Sequence, residues 1–367
     1  MGKNNIKILI GDLEFSELKS LIKDYKSVIL AYSFMTHQKV KIYKEWELIK
    51  ENFKDVLIVA GGPHPSAEPK EALKNGADFV CSFDGEDFFT DLFDHLDKEK
   101  KKIFIGRCSN WEERFPFPQK RIFFSPIEIT RGCPFGCSYC QTPLLKGKKV
   151  RHKKLEVIIE AVKFMVKYKA KDVRFISPNA LSYGSCDGRS LNLNAVEDLL
   201  FNIRKALPKD GRIFFGSFPS EVRPEFINED SVRIIKKYCD NKRVVFGAQS
   251  GSPRMLKMMR RGHSVEDVKN AVSVLIKHKI EPVVDFIVGL PDERDEDLFM
   301  SLKLMEELGK MGAKVHLHYF MPLPGSLWRD LKPTKLPEWA LKRINKLISS
   351  GKLFGQWQRQ IAIAEGS

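Results

Sequence analysis

Three cysteines in the run Cys133-Pro-Phe-Gly-Cys137-Ser-Tyr-Cys140 are the residues of this chain best suited to chemistry. Thiolates at CxxxCxxC spacing gather on one soft metal centre. A four-iron cluster normally takes four cysteines. Three leave one iron with an open corner, where a substrate or cofactor can bind. Zinc is the competing occupant, but a structural zinc prefers a closed tetrahedron of four protein ligands. No fourth Cys or His lies at the usual spacing here, and the aromatic Tyr139 directly precedes the last cysteine.

Other runs carry polar or glycine chemistry. In Gly216-Ser217-Phe218-Pro219-Ser220-Glu221-Val222-Arg223, Arg223 is able to pair bidentately with a carboxylate and Glu221 to accept from a cation or hydroxyl. The plainer reading of that run is a helix N-cap with a surface ion pair. Gln249-Ser250-Gly251-Ser252 also reads as a strand-to-helix turn capped by Ser252. Gly289 closes Asp285-Phe286-Ile287-Val288, where a glycine lets the backbone approach a ligand. Asn179 precedes a polar, Gly-rich loop that either carries Tyr183 to a substrate as a contact or radical relay, or is a flexible crossing. His316 and His318 alternate with Val315 and Leu317, so both point to one face of a strand. We expect that face to look at the substrate, which makes Tyr183, His316 and His318 the catalytic candidates.

These residues need a scaffold. Residues 6–11, 27–34, 54–62 and 77–83 read as strands separated by helical patterns, which implies a parallel sheet with helices on both faces. The charged run 97–107 marks an exposed boundary, and the prolines of 111–121 block helix and imply an extended linker. From 122 a second series begins, with strands at 123–130, 173–177, 212–218, 244–250, 282–289 and 314–321 and helical segments between them. The expected fold is α/β: a shortened Rossmann-like parallel-sheet domain (1–105), a linker (106–121), a partial (β/α)6 TIM-type barrel (122–328) and a helical C-terminal tail (329–367). Barrel chemistry sits at the C-terminal ends of the strands, which is where the cysteine loop and the other motifs fall.

The cysteine motif, with Thr130-Arg131-Gly132 before it, resembles the radical S-adenosylmethionine (SAM) superfamily over roughly residues 122–325. The QSGS run, Arg260-Arg261-Gly262-His263, the DFIVGLP run and Pro322-Leu323-Pro324-Gly325-Ser326 match one large branch of it, with Ser326 in place of Thr. The resemblance implies a [4Fe–4S] cluster on Cys133, Cys137 and Cys140 whose open iron chelates SAM and cleaves it to a 5′-deoxyadenosyl radical. It implies Asn179 near the methionine end of SAM, and Ser217, Glu221 and Arg223 at its amino-acid part or ribose. Gln249 and Ser250 would face the nucleoside, and Gly289 the adenine. Gly61-Gly62-Pro63-His64-Pro65 and Asp84-Gly85-Glu86 resemble the cobalamin-binding domain fused to many such enzymes. That likeness puts Gly61, Gly62, His64 and Pro65 against the corrin or its nucleotide tail, with Ser33, Gly85 and Glu86 lining the same crevice outside the strands' carboxyl ends. The family's DxHxxG loop, whose His ligates cobalt from below, is absent. Cobalamin is therefore expected to bind without a protein His.

The resemblance points to a cobalamin-dependent radical SAM C-methyltransferase acting on an unactivated carbon. A similarly shortened archaeal member methylates a glutamine of methyl-coenzyme M reductase, so a protein or peptide substrate is expected. The rivals are a radical SAM enzyme that does not use cobalamin, a non-catalytic cofactor carrier, and a tRNA-modifying enzyme. For the last, the basic run Lys146, Lys148, Lys149, Arg151, Lys153 and Lys154 would touch phosphates, though no appended RNA-binding module is recognisable. An external electron donor is implied. Composition agrees with a cytoplasmic protein: 43% hydrophobic and 30% charged residues, no apolar run long enough to span a membrane, and seven cysteines, an odd number that argues against a disulfide framework. The net charge of +15 attracts anions without specifying one.

Overall fold

The computed structural model describes residues 15–364 apart from 24, 26–27, 91–102 and 119–121. The strand expected at 6–11 lies outside the described residues. The chain divides into two compact units, Met1–Arg107 and Cys108–Ser367.

The first unit is a parallel sheet in the order β1 (Val28–Ser33), β2 (Val56–Gly61), β3 (Phe79–Phe83) and β4 (Ile103–Gly106). Apolar β-branched runs make these strands, since both faces of a parallel sheet are covered. The helices Lys39–Asn52, Pro63–Ala67 and Pro69–Lys74 lie between them, and Trp46, Ile49, Ile58 and Val80 form the core. The boundary expected at 97–107 is in part structural: Ile103–Gly106 pairs with β3, because Ile-Phe-Ile behind a charged run is itself a strand former.

The second unit is an arc of parallel strands. One run is β5 (Ile127–Glu128), β8 (Asp172–Ile176) and β9 (Arg212–Phe214); the other is β10 (Arg243–Gln249), β11 (Glu281–Val288), β12 (Lys314–Tyr319) and β13 (Leu353–Phe354). A bridge between Val222 and Phe246 and the Val245 N–H donated to the Gly216 carbonyl (2.8 Å) join the two runs into the partial barrel. A short antiparallel pair, β6 (Thr130–Arg131) and β7 (Arg151–His152), brackets the cysteine loop. Val315, Leu317 and Tyr319 of β12 pack into the core with Leu304, Met305 and Leu308 of the helix Asp295–Met311. The alternation leaves His316 and His318 on the opposite, inner face.

Two sequence expectations change here. The tail is not wholly helical: between the helices Glu338–Ser349 and Trp357–Ala364, β13 adds a seventh strand beside β12. The segment expected as a linker is packed rather than extended from residue 108 on. Trp111 is 2% exposed, lies 4.3 Å from the Lys153 ammonium and 4.6 Å from the Arg131 guanidinium, and Phe117 joins the barrel core. Aromatic burial outweighs the extended bias of the prolines. Among the described residues no helix is long and apolar enough to cross a membrane.

Candidate active site

The cysteine loop is held from both sides by distant parts of the barrel. The Ser138 N–H and hydroxyl donate to the carbonyls of Met259 (3.0 Å) and Met258 (2.9 Å), and the Ser138 carbonyl accepts from the Trp328 N–H (3.0 Å). Gln141 Nε2 donates to the Pro324 carbonyl (2.6 Å). Cys137 is buried and Cys133 and Cys140 partly so. Burial pushes the Cys133 and Cys140 thiols up, so thiolates there call for a bound cation. Four thiolates on one zinc sit within about 4 Å of one another. Among the described residues the trio of His, Cys, Asp or Glu ligand atoms that comes together within 4.8 Å is Asp285, His316 and His318, not the three cysteines. Arg261, 7% exposed, donates to Tyr139 Oη (3.0 Å), the Gly247 carbonyl (2.7 Å) and Cys137 Sγ (3.7 Å). It places a positive charge against the cysteine side of the site.

At the carboxyl ends of β8 and β9, Asn179 Nδ2, Ser217 Oγ and Ser220 Oγ are buried without hydrogen-bond partners. Each such atom costs about 1–3 kcal/mol unless a ligand or water meets it. Asn179 Oδ1 accepts from the Arg223 N–H (3.3 Å), and the Ala180 N–H donates to the Glu221 carbonyl (2.8 Å), so these residues form one wall. The Glu221 carboxyl is pushed up to about 7, first by burial and then by Asp285. This set of unmet donors and acceptors fits the amino-acid and ribose groups of SAM. Arg223 departs from expectation. Its Nε pairs with Glu225 Oε1 (2.6 Å), Nη2 donates to the Arg261 carbonyl, and the guanidinium lies 3.5 Å from the Phe135 ring centre. Two of its three nitrogens are engaged within the protein, so Arg223 braces the loop, and Nη1 is left for a ligand.

Two further expectations, for Ser250 and Tyr183, are corrected, and backbone geometry explains two more residues, Gln249 and Gly289. Ser250 is fully buried and bonded to the Ser301 hydroxyl (3.1 Å), holding the strand-to-helix turn in which Ser252 caps the helix Pro253–Met258. Gln249 sits at a bulge in β10 with φ 67°, which makes the turn the strand tip needs. Gly289 has φ 71°, and a Cβ there would lie 2.2 Å from the Tyr319 ring, so packing alone already requires a glycine here. Tyr183 belongs to the core, with its hydroxyl donated to the Lys153 carbonyl (2.9 Å), and does not reach toward a substrate.

His316 and His318 meet Asp285, a buried carboxylate of β11. His316 Nδ1 is 3.0 Å and His318 Nε2 3.9 Å from Asp285 Oδ1. Asp285 and Arg261 escaped the sequence reading as site residues. The available signal was an unpaired charge inside the apolar run Pro-Val-Val-Asp-Phe-Ile-Val, since charges are rarely buried without a partner.

In the first unit, Ser33, Gly61, Gly62, Gly85 and Glu86 all lie at or just beyond the carboxyl ends of β1, β2 and β3. Gly62 has φ 87°, and a Cβ there would meet Ser33 Oγ at 2.7 Å, so the β2 turn must be glycine to pack on β1. Ser82 Oγ, near the end of β3, is buried without a partner, which fits a polar ligand at this edge. His64 and Pro65 of the same turn are buried. His64 Nε2 is 3.0 Å from Tyr43 Oη and Nδ1 3.3 Å from Thr36 Oγ1, and burial lowers its pKa. Both ring nitrogens are occupied by the protein, so His64 ties the turn to the core.

Comparison with known proteins agrees with both units. The Radical SAM superfamily model matches residues 127–305 and the B12 binding domain model residues 5–93. The chain is 26% identical to an uncharacterised methyltransferase of Pyrococcus horikoshii, over 89% of this chain and 74% of that one. It is 28% identical to a threonylcarbamoyladenosine tRNA methylthiotransferase of Thermotoga maritima, over 78% of this chain and 64% of that one. The fold is similar to that of the radical SAM methyltransferase TsrM from Kitasatospora setae, solved with cobalamin and a [4Fe–4S] cluster (TM-score 0.64, 14% identity, 86% of this chain and 68% of that one). It is also similar to the cobalamin-dependent radical enzyme OxsB (TM-score 0.62, 15% identity, 92% and 49%). With its three-cysteine loop at the mouth of a partial barrel, the chain joins a radical SAM domain to a B12-binding domain and is a radical SAM enzyme that uses a [4Fe–4S] cluster, SAM and cobalamin.

Proposed function

We propose that this enzyme transfers a methyl group to an unactivated carbon of a protein or peptide residue. The observation that carries the reading is the pairing, in one chain, of an open-cornered cysteine loop with a B12-binding unit. The bound cofactors supply hydrogen abstraction and a methyl group, which acid–base side chains cannot bring to an unactivated C–H bond. The chain's own residues do the rest. Asn179, Ser217, Ser220 and Glu221 receive the polar groups of SAM, Arg223 and Phe135 brace the loop, and Arg261 balances the charge of the sulfurs. Asp285, His316 and His318 present a polar wall on the inner face. A glutamine of methyl-coenzyme M reductase is the specific substrate we propose, on the resemblance to the shortened archaeal enzyme.

The test is anaerobic incubation of the reconstituted enzyme with methyl-labelled SAM and a glutamine-containing peptide. Methyl transfer requires 5′-deoxyadenosine and S-adenosylhomocysteine together, with label in the peptide. 5′-Deoxyadenosine alone means a different radical reaction. A tRNA substrate is the second reading, prompted by the tRNA-modifying relatives. The basic run supports it weakly: Arg151 donates to the Cys108 carbonyl (2.9 Å), Lys153 to the Trp111 carbonyl (2.8 Å), and Lys154 pairs with Glu113 (2.6 Å). RNA binding that weakens steeply with salt would favour that reading over ours.

A further inference from the structure

The tail segment places two side chains on the inner-face histidines. Gln360, from the helix Trp357–Ala364, has Oε1 accepting from the Tyr319 N–H (2.8 Å) and Nε2 at 3.3 Å from His318 Nδ1. The backbone N–H fixes which end of the amide is oxygen, so the NH2 end must donate to His318 Nδ1. A ring nitrogen that accepts holds no proton, and the proton of a neutral imidazole then sits on Nε2. Phe354 of β13 stacks on His316 with ring centres 4.7 Å apart and planes 11° apart, while His316 meets the His318 ring edge-on at 4.2 Å. His316 Nδ1 is 3.0 Å from Asp285 Oδ1 and donates to it. His318 Nε2, at 3.9 Å from that oxygen, is beyond hydrogen-bond reach and keeps its N–H available.

We propose that Gln360 is a positioning residue that holds His318 as its Nε2–H tautomer, a fixed hydrogen-bond donor for an acceptor oxygen of the substrate, such as an amide carbonyl, while Phe354 holds the neighbouring His316 ring. The substrate part of this statement rests on the methyl-transfer reading; the tautomer does not. Burial, and then the neighbouring His316, lower the His318 pKa, in keeping with a neutral ring. The same three ligand atoms, within 4.8 Å of one another, have the composition of a divalent-metal site. A metal on His318 Nε2 would need the proton on Nδ1, facing the Gln360 NH2 group. The geometry therefore points to a proton and not a metal.

The test uses the anaerobic holoenzyme labelled with 15N-histidine, with the His318 signals identified by their loss in His318→Gln. The expected pattern is a protonated Nε2 and a bare Nδ1. Gln360→Glu offers an acceptor in place of the donor and should move the proton to Nδ1 or leave both nitrogens protonated. Phe354→Leu should loosen the ring and broaden the His316 signals without changing the His318 tautomer. Methyl transfer to a peptide amide should fall about tenfold in Gln360→Glu, the scale of one misdirected hydrogen bond. Release of 5′-deoxyadenosine without substrate should stay within about twofold, because that step does not use His318. His318→Gln, which keeps a donor near the Nε2 position, should retain more transfer than His318→Leu. A wild-type His318 with a bare Nε2, a tautomer unmoved in Gln360→Glu, or one equivalent of zinc bound and lost in Asp285→Asn would each overturn the proposal. Loss of methyl transfer with the expected tautomer in place would instead count against the functional reading.

Discussion

Arg261 and Glu293 show how single residues tune this site. Arg261 reaches Cys137 Sγ, the Tyr139 hydroxyl and the Gly247 carbonyl at once, so its charge is held against the sulfurs. A nearby cation favours the more negative, reduced state of a cluster. Arg261→Met should therefore move the cluster midpoint to more negative potential by tens of millivolts in a spectroelectrochemical titration, with iron content retained. Glu293 accepts from the N–H groups of Gly289 (2.7 Å) and Leu290 (3.2 Å), while its other oxygen is buried without a partner. Burial raises its carboxyl from 4.5 to about 8. The folded protein thus keeps a proton that the unfolded chain releases near 4.5, and stability falls as pH rises from there to about 8. Glu293→Gln stays neutral and should flatten that fall, gaining about 1–3 kcal/mol near pH 8 relative to pH 5 in denaturant unfolding. Neither residue stood out in the sequence as a site residue, because an Arg in a basic chain and a Glu in a loop carry no local signature of burial.

At the scale of elements, β11 and β12 decide what faces the interior. Alternation along Lys314–Tyr319 was legible, and it puts His316 and His318 on one face. What faces them from β11 follows from register, Asp285 opposite His316 and Ile287 opposite His318. The end of β11 is equally a packing decision. Gly289→Ala meets both a positive φ and the Tyr319 ring, and should cost about 2–3 kcal/mol in thermal unfolding. Gly289→Ala with Tyr319→Leu should recover part of that loss, since the ring is then gone and only the positive φ remains. The polar loop 180–190 looked free to carry Tyr183 outward, but Tyr183 has an aromatic body to bury and a carbonyl within reach for its hydroxyl.

For the molecule as a whole, the two units divide the work: the first matches a B12-binding domain and the second a radical SAM domain, which takes the cluster and SAM. His64 is the only histidine in the glycine turn of the first unit, and it is fully buried against Tyr43 and Thr36. His64→Ala should lower the stability of that unit by about 1–3 kcal/mol, the cost of unmet buried partners. Electron paramagnetic resonance of the cobalt(II) form should show no nitrogen splitting from the protein in either the wild type or this variant. A splitting that disappears in His64→Ala would assign His64 to the metal and refute the structural role given to it here.

The sequence by itself determined the class of chemistry, the two α/β series and their order, and the loop that holds the cluster. Each depends on residues adjacent in the chain: cysteine spacing, hydrophobic periodicity and turn glycines. The tertiary structure alone decided which side chains remain available for chemistry. Ser250 and Tyr183 lost their expected contacts to partners far along the chain, and Asp285, Arg261 and Gln360 entered the site through partners equally distant in sequence. Whether a polar group is satisfied depends on its neighbours in space, and local sequence does not encode those neighbours until the strands are in register.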